Sequence, residues 1–288
     1  VYKRQFIATA ETAVLAGAKP VFVDINPETY NISPAEVEKA ITKRTKAIIA
    51  VDLYGAPADM KPIREIADKY ELRVIEDAAQ AHGAVYNGKP VGAYADVTCW
   101  SFYASKNMTT GEGGMATTND DELAETLRLI RSHGEKQKYM STIIGHNYRM
   151  PEIEAAIGLI QLEKLPGFLV RRRENAERLT AKLCKAENLQ LPREQPNCRN
   201  SWYLYTVRLK GASRAKRDAV VEQLKSKDIG AEVYYPWPIH LMPAYRRFRR
   251  LKLTETEKAA EQVFSLPVHP SVSTQQADFI GETLLSFL

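Results

Sequence analysis

A chain of 288 residues exceeds the usual size of one domain, so a larger unit with a smaller one is the expectation. Hydrophobic residues at 44% and charged residues at 26% exclude global disorder. With 40 basic against 35 acidic residues, the net charge of +5 is too small an excess to indicate a nucleic-acid binder.

The chain opens at Val1 without methionine and enters a helical pattern at Phe6, which reads as a truncated front. Residues 19–24 predict a strand, and residues 34–41 a helix opened by Ser33 with acidic residues in its first turn. A second strand is predicted over 46–51. After a loop at 54–57, Asp59 is placed to cap a helix to about Tyr70, with Ile63, Ile66 and Ala67 on one face. Strands are predicted at 73–77, 96–102 and 114–118, followed by a helix from Asn119 or Asp120 to about Ser132. This alternation predicts βαβ units, hence an α/β fold with a mostly parallel sheet flanked by helices.

From Pro151 the pattern changes. Ile153, Ala156, Ile157, Ile160, Leu162 and Leu165 recur at helical spacing, Pro166-Gly167 predicts a break, and the helix resumes through Arg171 to about Cys184. A polar loop then leads to a smaller C-terminal α+β unit. It holds a strand over 202–209, a helix over about 215–227, a Pro-rich loop with Pro236, Pro238 and Pro243, and helical stretches over 256–263 and 275–288. The expected division is 1–165 for the large unit and 166–288 for the helix plus the small one. The basic runs Arg171-Arg172-Arg173 and Arg246, Arg247, Arg249, Arg250 read as solvated helix faces.

Cys99, Cys184 and Cys198 form no CxxC pair and have no histidines at metal-ligand spacing, so no metal is expected. No apolar run approaches the roughly 18 residues that cross a bilayer, and no signal-peptide layout opens the chain. A cytoplasmic location, away from membranes, is the expectation.

Ligands of open α/β sheets sit beyond the carboxyl ends of the strands, and three polar segments fall there. They are Glu76-Asp77-Ala78-Ala79-Gln80-Ala81-His82-Gly83, then Ser101-Phe102-Tyr103-Ala104-Ser105-Lys106-Asn107, then Gly111-Glu112-Gly113-Gly114. The last lacks the lysine and hydroxyl of a phosphate loop and reads as a tight turn. No GxGxxG follows a strand, which argues against a dinucleotide-dependent oxidoreductase.

Together with GHNYRM at 145–150, AAIGLIQLEKL at 155–165, YYPWPIHL at 234–241 and LPVHPS at 266–271, these segments resemble the DegT/DnrJ/EryC1/StrS family of sugar aminotransferases over nearly the whole chain. The resemblance implies a fold-type I transferase dependent on pyridoxal 5'-phosphate. It further implies a homodimer that moves an amino group from an amino acid, glutamate by expectation, to a nucleotide-linked keto sugar in two ping-pong half-reactions. In this reading Lys106 carries the cofactor as a Schiff base and shuttles the proton, and Asp77 keeps the ring nitrogen protonated so that the ring accepts electrons. Gln80 contacts the phenolic oxygen, Ser101 the phosphate, and Asn147 the phosphate of the partner subunit's cofactor, so each site is shared. The family's Gly-Thr phosphate helix and its ring-stacking side chain are expected upstream of Val1. Tyr235 and His240 lie in a loop that in the family nears the sugar, and are expected substrate contacts. His82 is more simply read as a packed side chain, and His133, His146 and His269 as structural.

Two alternatives are weighed. Sugar dehydratases of the same family carry histidine in place of the lysine, and Lys106 argues against them. A non-catalytic regulatory homologue would not need Asp77, Gln80, Ser101 and Lys106 together.

Overall fold

The computed structural model describes residues 6–248 and 252–288. Three apolar runs become the parallel strands β1 (Ala47–Val51), β2 (Arg73–Asp77) and β5 (Val97–Ser101), and β6 (Gly114–Thr117) adds an antiparallel edge in the order β1-β2-β5-β6. Asp77 stands opposite Val51 on one side and Cys99 on the other, so the carboxyl ends of all three parallel strands share one edge. Helices α2 (Pro34–Ala40) and α3 (Met60–Lys69) place Val37, Ile63 and Ala67 against Ile48, Ala50 and Val74 of the sheet. Burying these side chains stabilises the sheet by roughly 1.5–3 kcal/mol for each of the larger ones. Helix α1 (Ala8–Leu15) precedes this layer, and α4 (Asp121–Arg131) follows β6, its N-terminus capped by Asp120, which accepts from the Leu123 amide. Two small ladders complete this part: β3 (Val85–Tyr86) with β4 (Lys89–Pro90), and β7 (Glu135–Gln137) with β8 (Met140–Ser141).

The second core is built on α5 (Glu152–Leu183). Its C-terminal half packs Ala176, Leu179 and Leu183 against the antiparallel strands β9 (Leu189–Gln190), β11 (Tyr205–Leu209) and β12 (Val263–Leu266), and against α6 (Arg214–Lys225) and α8 (Thr274–Leu285). Strand β10 (Cys198–Arg199) crosses back to pair with β3. Helix α7 (Thr254–Gln262) leads directly into β12.

Four expectations from the sequence are corrected here. Residues 19–24 form no strand: the segment makes a single-residue bridge at Phe22, and just beyond it Ile25 bridges to Ile32. Pro20 offers no amide hydrogen to a ladder, and Asp24 is engaged elsewhere, accepting from the Glu255 and Thr256 amides at 2.9 and 2.8 Å and from the Thr256 hydroxyl at 2.7 Å. Pro166 does not break α5, which runs unbroken for 32 residues. Pro166 and Gly167 lie on an exposed face, where water can serve the carbonyl that proline leaves unpaired, while Leu165 is buried and holds the next turn. The helix expected over 256–263 stops at Gln262, because Val263-Phe264-Ser265-Leu266 is buried on both faces as a strand; a short apolar run does not distinguish the two. Finally, Arg172 is no solvated side chain: it is 5% exposed, whereas Arg171 and Arg173 reach Glu174 and Glu194 at the surface. In the second basic run, Arg249 and Arg250 lie outside the described residues.

Candidate functional site

The site grows from two adjacent strand ends. β2 finishes on Asp77 and β5 on Ser101, and the Ala78 amide bonds the Cys99 carbonyl at 2.9 Å as the chain leaves the sheet. The Asp77 carboxylate accepts from the Ala79 amide at 3.1 Å through one oxygen and from the Thr9 hydroxyl of α1 at 2.5 Å through the other. After Ser101 the backbone folds on itself: the Lys106 amide donates to the Tyr103 carbonyl, the Thr110 amide to Phe102, and the Phe102 amide to Gly113, each at 2.9 Å. This tight loop presents the Lys106 amine 4.8 Å from the centre of the Tyr203 ring. Burial holds that amine below the ordinary lysine range, against the opposing pull of the Asp77 charge. The Asp77 charge therefore acts on the Lys106 amine.

Gln80 joins them through a turn closed by the Ala81 amide on the Ala78 carbonyl. Its side-chain oxygen accepts from the Tyr54 amide at 2.7 Å and its nitrogen donates to the Tyr235 hydroxyl at 3.2 Å, so the carboxamide is fixed from both ends. Tyr54 has φ 63°, which turns its amide toward Gln80, and Gly55, at φ 90°, has no room for a Cβ, which would fall 2.5 Å from the Ser201 hydroxyl. Ser201, fully buried, donates to the Gln80 carbonyl at 3.0 Å and accepts at its own carbonyl from the Asn107 side chain at 3.0 Å. One serine from beyond α5 thus ties the segment behind Asp77 to the residue after Lys106.

His82 is 2% exposed, set between the rings of Trp100 and Phe102 at 5.5 and 5.9 Å. Burial and the charge of Lys106 push its pKa down to about 4, so it is a neutral packing group at neutral pH. Glu76 points away from Asp77 on the opposite face of β2, as alternation requires. Burial raises it to about 7, while hydrogen bonds from the Gly92 backbone and with Asp52 and Thr98 act to lower it.

The structure brings Asp77, Gln80, Lys106 and Tyr235 together, with Ser101 at the root of the lysine loop, where its hydroxyl accepts a long 3.4 Å bond from the Tyr103 amide. Asn147 is placed elsewhere, exposed and bridging Ser132 beyond α4. His240 is turned inward against Phe22, with Nε2 3.1 Å from a Glu257 carboxylate oxygen. Sequence reasoning missed Tyr203, Ser201 and Thr9, which reach the site from remote segments and carry no local signal. It also missed Phe6, whose exposed ring lies 6.3 Å from Tyr235, an aromatic face beside the opening. Among the described residues no His, Cys, Asp or Glu cluster could hold a metal, and no helix is long and apolar enough to cross a membrane.

The family model for the DegT/DnrJ/EryC1/StrS aminotransferase family matches residues 1–285. The chain is 44% identical over 287 residues to a protein of Geobacillus stearothermophilus named as a pleiotropic regulatory protein, covering 98% of this chain and 76% of that one. It is 42% identical over 280 residues to the UDP-2-acetamido-2-deoxy-3-oxo-D-glucuronate aminotransferase of Pseudomonas aeruginosa, covering 97% and 76%. The solved structure of DesV from S. venezuelae superposes with a TM-score of 0.94 at 38% identity, over 99% of this chain and 76% of that chain. With the fold, the lysine loop and the sequence match in agreement, the chain belongs to the DegT/DnrJ/EryC1/StrS aminotransferase family and is a sugar transaminase of the kind that depends on pyridoxal phosphate.

Proposed function

We propose that this enzyme moves an amino group from glutamate to a nucleotide-linked keto sugar in two half-reactions, with Lys106 as the residue that binds pyridoxal phosphate covalently. The observation that carries this reading is the convergence of two adjacent strand ends, β2 finishing on Asp77 and β5 on Ser101 before the Lys106 loop, where burial lowers the proton affinity of the Lys106 amine against the pull of the Asp77 charge. The residues fit the group. Asp77 offers a negative oxygen to a ring nitrogen, Gln80 an amide held from both ends to a phenolic oxygen, and Ser101 a hydroxyl to a phosphate. When bound, the cofactor supplies an aromatic ring that takes up the electron pair released as a C–H bond breaks.

The chain's own groups do the rest. Asp77, fixed by Thr9 and the Ala79 amide, holds a proton at the ring nitrogen. Lys106 Nζ, favoured in its neutral form by burial, takes a proton from the substrate carbon and returns it. Tyr203 lies under that amine and excludes water from one side of it. Tyr235, bonded to Gln80, and Phe6 present aromatic surface to a sugar entering the opening.

We extend the proposal to a homodimer in the cytoplasm, with Asn147 reaching the cofactor phosphate of a partner subunit. Its support is the apolar surface around that residue: Ile144 is 93% exposed, Ile153 77% and Tyr148 67%, a density that soluble monomers seldom leave in water. The division at 165/166 falls inside α5, whose Leu165 packs on Phe102 and Met108 while Leu179 and Leu183 join the second core. A purely regulatory role, suggested by the name of the Geobacillus relative, finds no support in a site that keeps a desolvated lysine beside a carboxylate.

The test is chemical. Borohydride reduction of the protein incubated with pyridoxal phosphate is expected to add the reduced cofactor at Lys106, located by peptide mass. Lys106→Ala is expected to lose the adduct and at least about 10³-fold in turnover with glutamate and a panel of nucleotide-linked keto sugars, followed by 2-oxoglutarate release. An adduct at another lysine, or none in the wild type, overturns the assignment.

A further inference from the structure

Buried guanidinium groups ordinarily face an acid, because an unpaired charge is costly to take out of water. Arg172 does not. On α5 and 5% exposed, it donates through Nη1 to the carbonyls of Trp202 and Tyr203 at 3.1 and 3.2 Å, and Nε is buried with no acceptor. No carboxylate lies within ion-pair distance of it among the described residues, in contrast to Arg173 one position on, whose fork is filled by Glu194 at 2.7 and 2.8 Å. Two carbonyls leave most of a five-donor fork unused.

Arg172 forms part of the wall of a cavity of about 880 Å³ whose other walls include Ser105, Tyr203, Ser271 and Gln276. That volume lies within the range of small-molecule sites. The first turn of α8, where Gln276 sits, adds the positive end of a 12-residue helix. Two acids are also on this wall: Glu232 is paired with Lys225 at 3.1 Å, and Asp228 is exposed beside the exposed Lys227. Neither answers Arg172.

We propose that this cavity is a second binding site, for a small molecule bearing a carboxylate or phosphate group that seats on the Arg172 guanidinium. Tyr203 is the shared wall: its ring carries the Lys106 amine at 4.8 Å, its hydroxyl lies 3.1 Å from the Ser105 hydroxyl, and both residues line the cavity. An occupant therefore touches the support of the lysine loop, while neither Lys106 nor Asp77 is among the residues that line the cavity. The proposal does not depend on the chemistry assigned to Lys106.

The experiment is calorimetric titration of inorganic phosphate, and separately of glutarate, into the full chain loaded with pyridoxal phosphate and freed of unbound cofactor, for wild type, Arg172→Lys and Ser271→Glu. Ser271 is exposed, so its substitution leaves the fold intact if Arg172→Lys does not, and it sets a negative charge on the same wall. Saturable binding of one anion to wild type, weakened at least about tenfold in Ser271→Glu and in any folded Arg172→Lys, is expected; a lysine cannot reproduce a guanidinium fork. Whichever anion binds identifies phosphate or carboxylate as the recognised group. Absence of binding by both, or equal binding in wild type and Ser271→Glu, overturns the site.

Discussion

Glu76 and Asp77 are consecutive residues of one strand with opposite environments, and the pleat that separates them decides what each does. Asp77 faces the opening and is dressed for anionic work by Thr9 and the Ala79 amide. Glu76 faces the interior, where burial raises its pKa from 4.5 to about 7. A folded value above the unfolded one means that the folded state holds the proton more tightly. The resulting stabilisation is complete below pH 4.5 and is lost as pH rises through about 7, on the order of 3 kcal/mol in all. Glu76→Gln is expected to flatten the fall in urea midpoint between pH 4.5 and 8; an undiminished fall in the variant would place the titrating group elsewhere. At this scale the sequence was legible for placement: Asp77 and Ser101 end the strands β2 and β5, and Gln80 and Lys106 stand in the turns that follow them. Ser201, Tyr203 and the buried Arg172 were not, because each owes its position to a contact tens of residues away, and a basic triplet on a helix reads as solvent-facing until its neighbours are known.

Elements show the same divide between local and remote causes. Strands β1, β2 and β5 and helix α3 follow from their own period, and α4 from its period and the Asp120 cap; the expected cap of α3 is not made, because the Asp59 carboxylate accepts from the Tyr86 hydroxyl and not from an amide of the helix. Helix α7 does not follow from its own signals: Leu253 at its N-terminus provides no side-chain cap, and the free amides are served by Asp24, 231 residues earlier. Residues 19–24 make a single-residue bridge and no strand, and Asp24 is held to α7 by its side chain. Asp24→Ala is expected to cost about 1–2 kcal/mol, read as a lower urea midpoint with unchanged slope. A loss below the error of that measurement would show that water caps α7 equally well.

For the whole molecule, the α/β class and the smaller C-terminal unit were readable from the order of elements, while the exposed face was not. Ile153, Ile157, Ile160 and Leu162 recur at helical spacing, yet they are 77%, 43%, 50% and 54% exposed, and of that series only Leu165 is buried. A periodic apolar pattern predicts burial but not whether the same chain supplies the cover. In a homodimer the partner does. Ile153→Glu with Ile160→Glu is expected to convert a dimer to a monomer in sedimentation equilibrium, with the urea midpoint of the monomer little changed; a wild type that sediments as a monomer at micromolar concentration would refute the pairing.

The unbroken passage of α5 through Pro166 has a mechanical outcome. At 1.5 Å per residue its 32 residues make a rod of about 48 Å. One end is rooted among Ala176, Leu179 and Leu183, and the other is the bare surface at Ile153. A tilt of about 5° about Leu165, which packs on Phe102 and Met108, sweeps Ile153 through roughly 1.5 Å, given about 18 Å of helix between them. Any closing of the small unit over its ligand would in this way be felt at the far tip, where a neighbouring copy would be leaning.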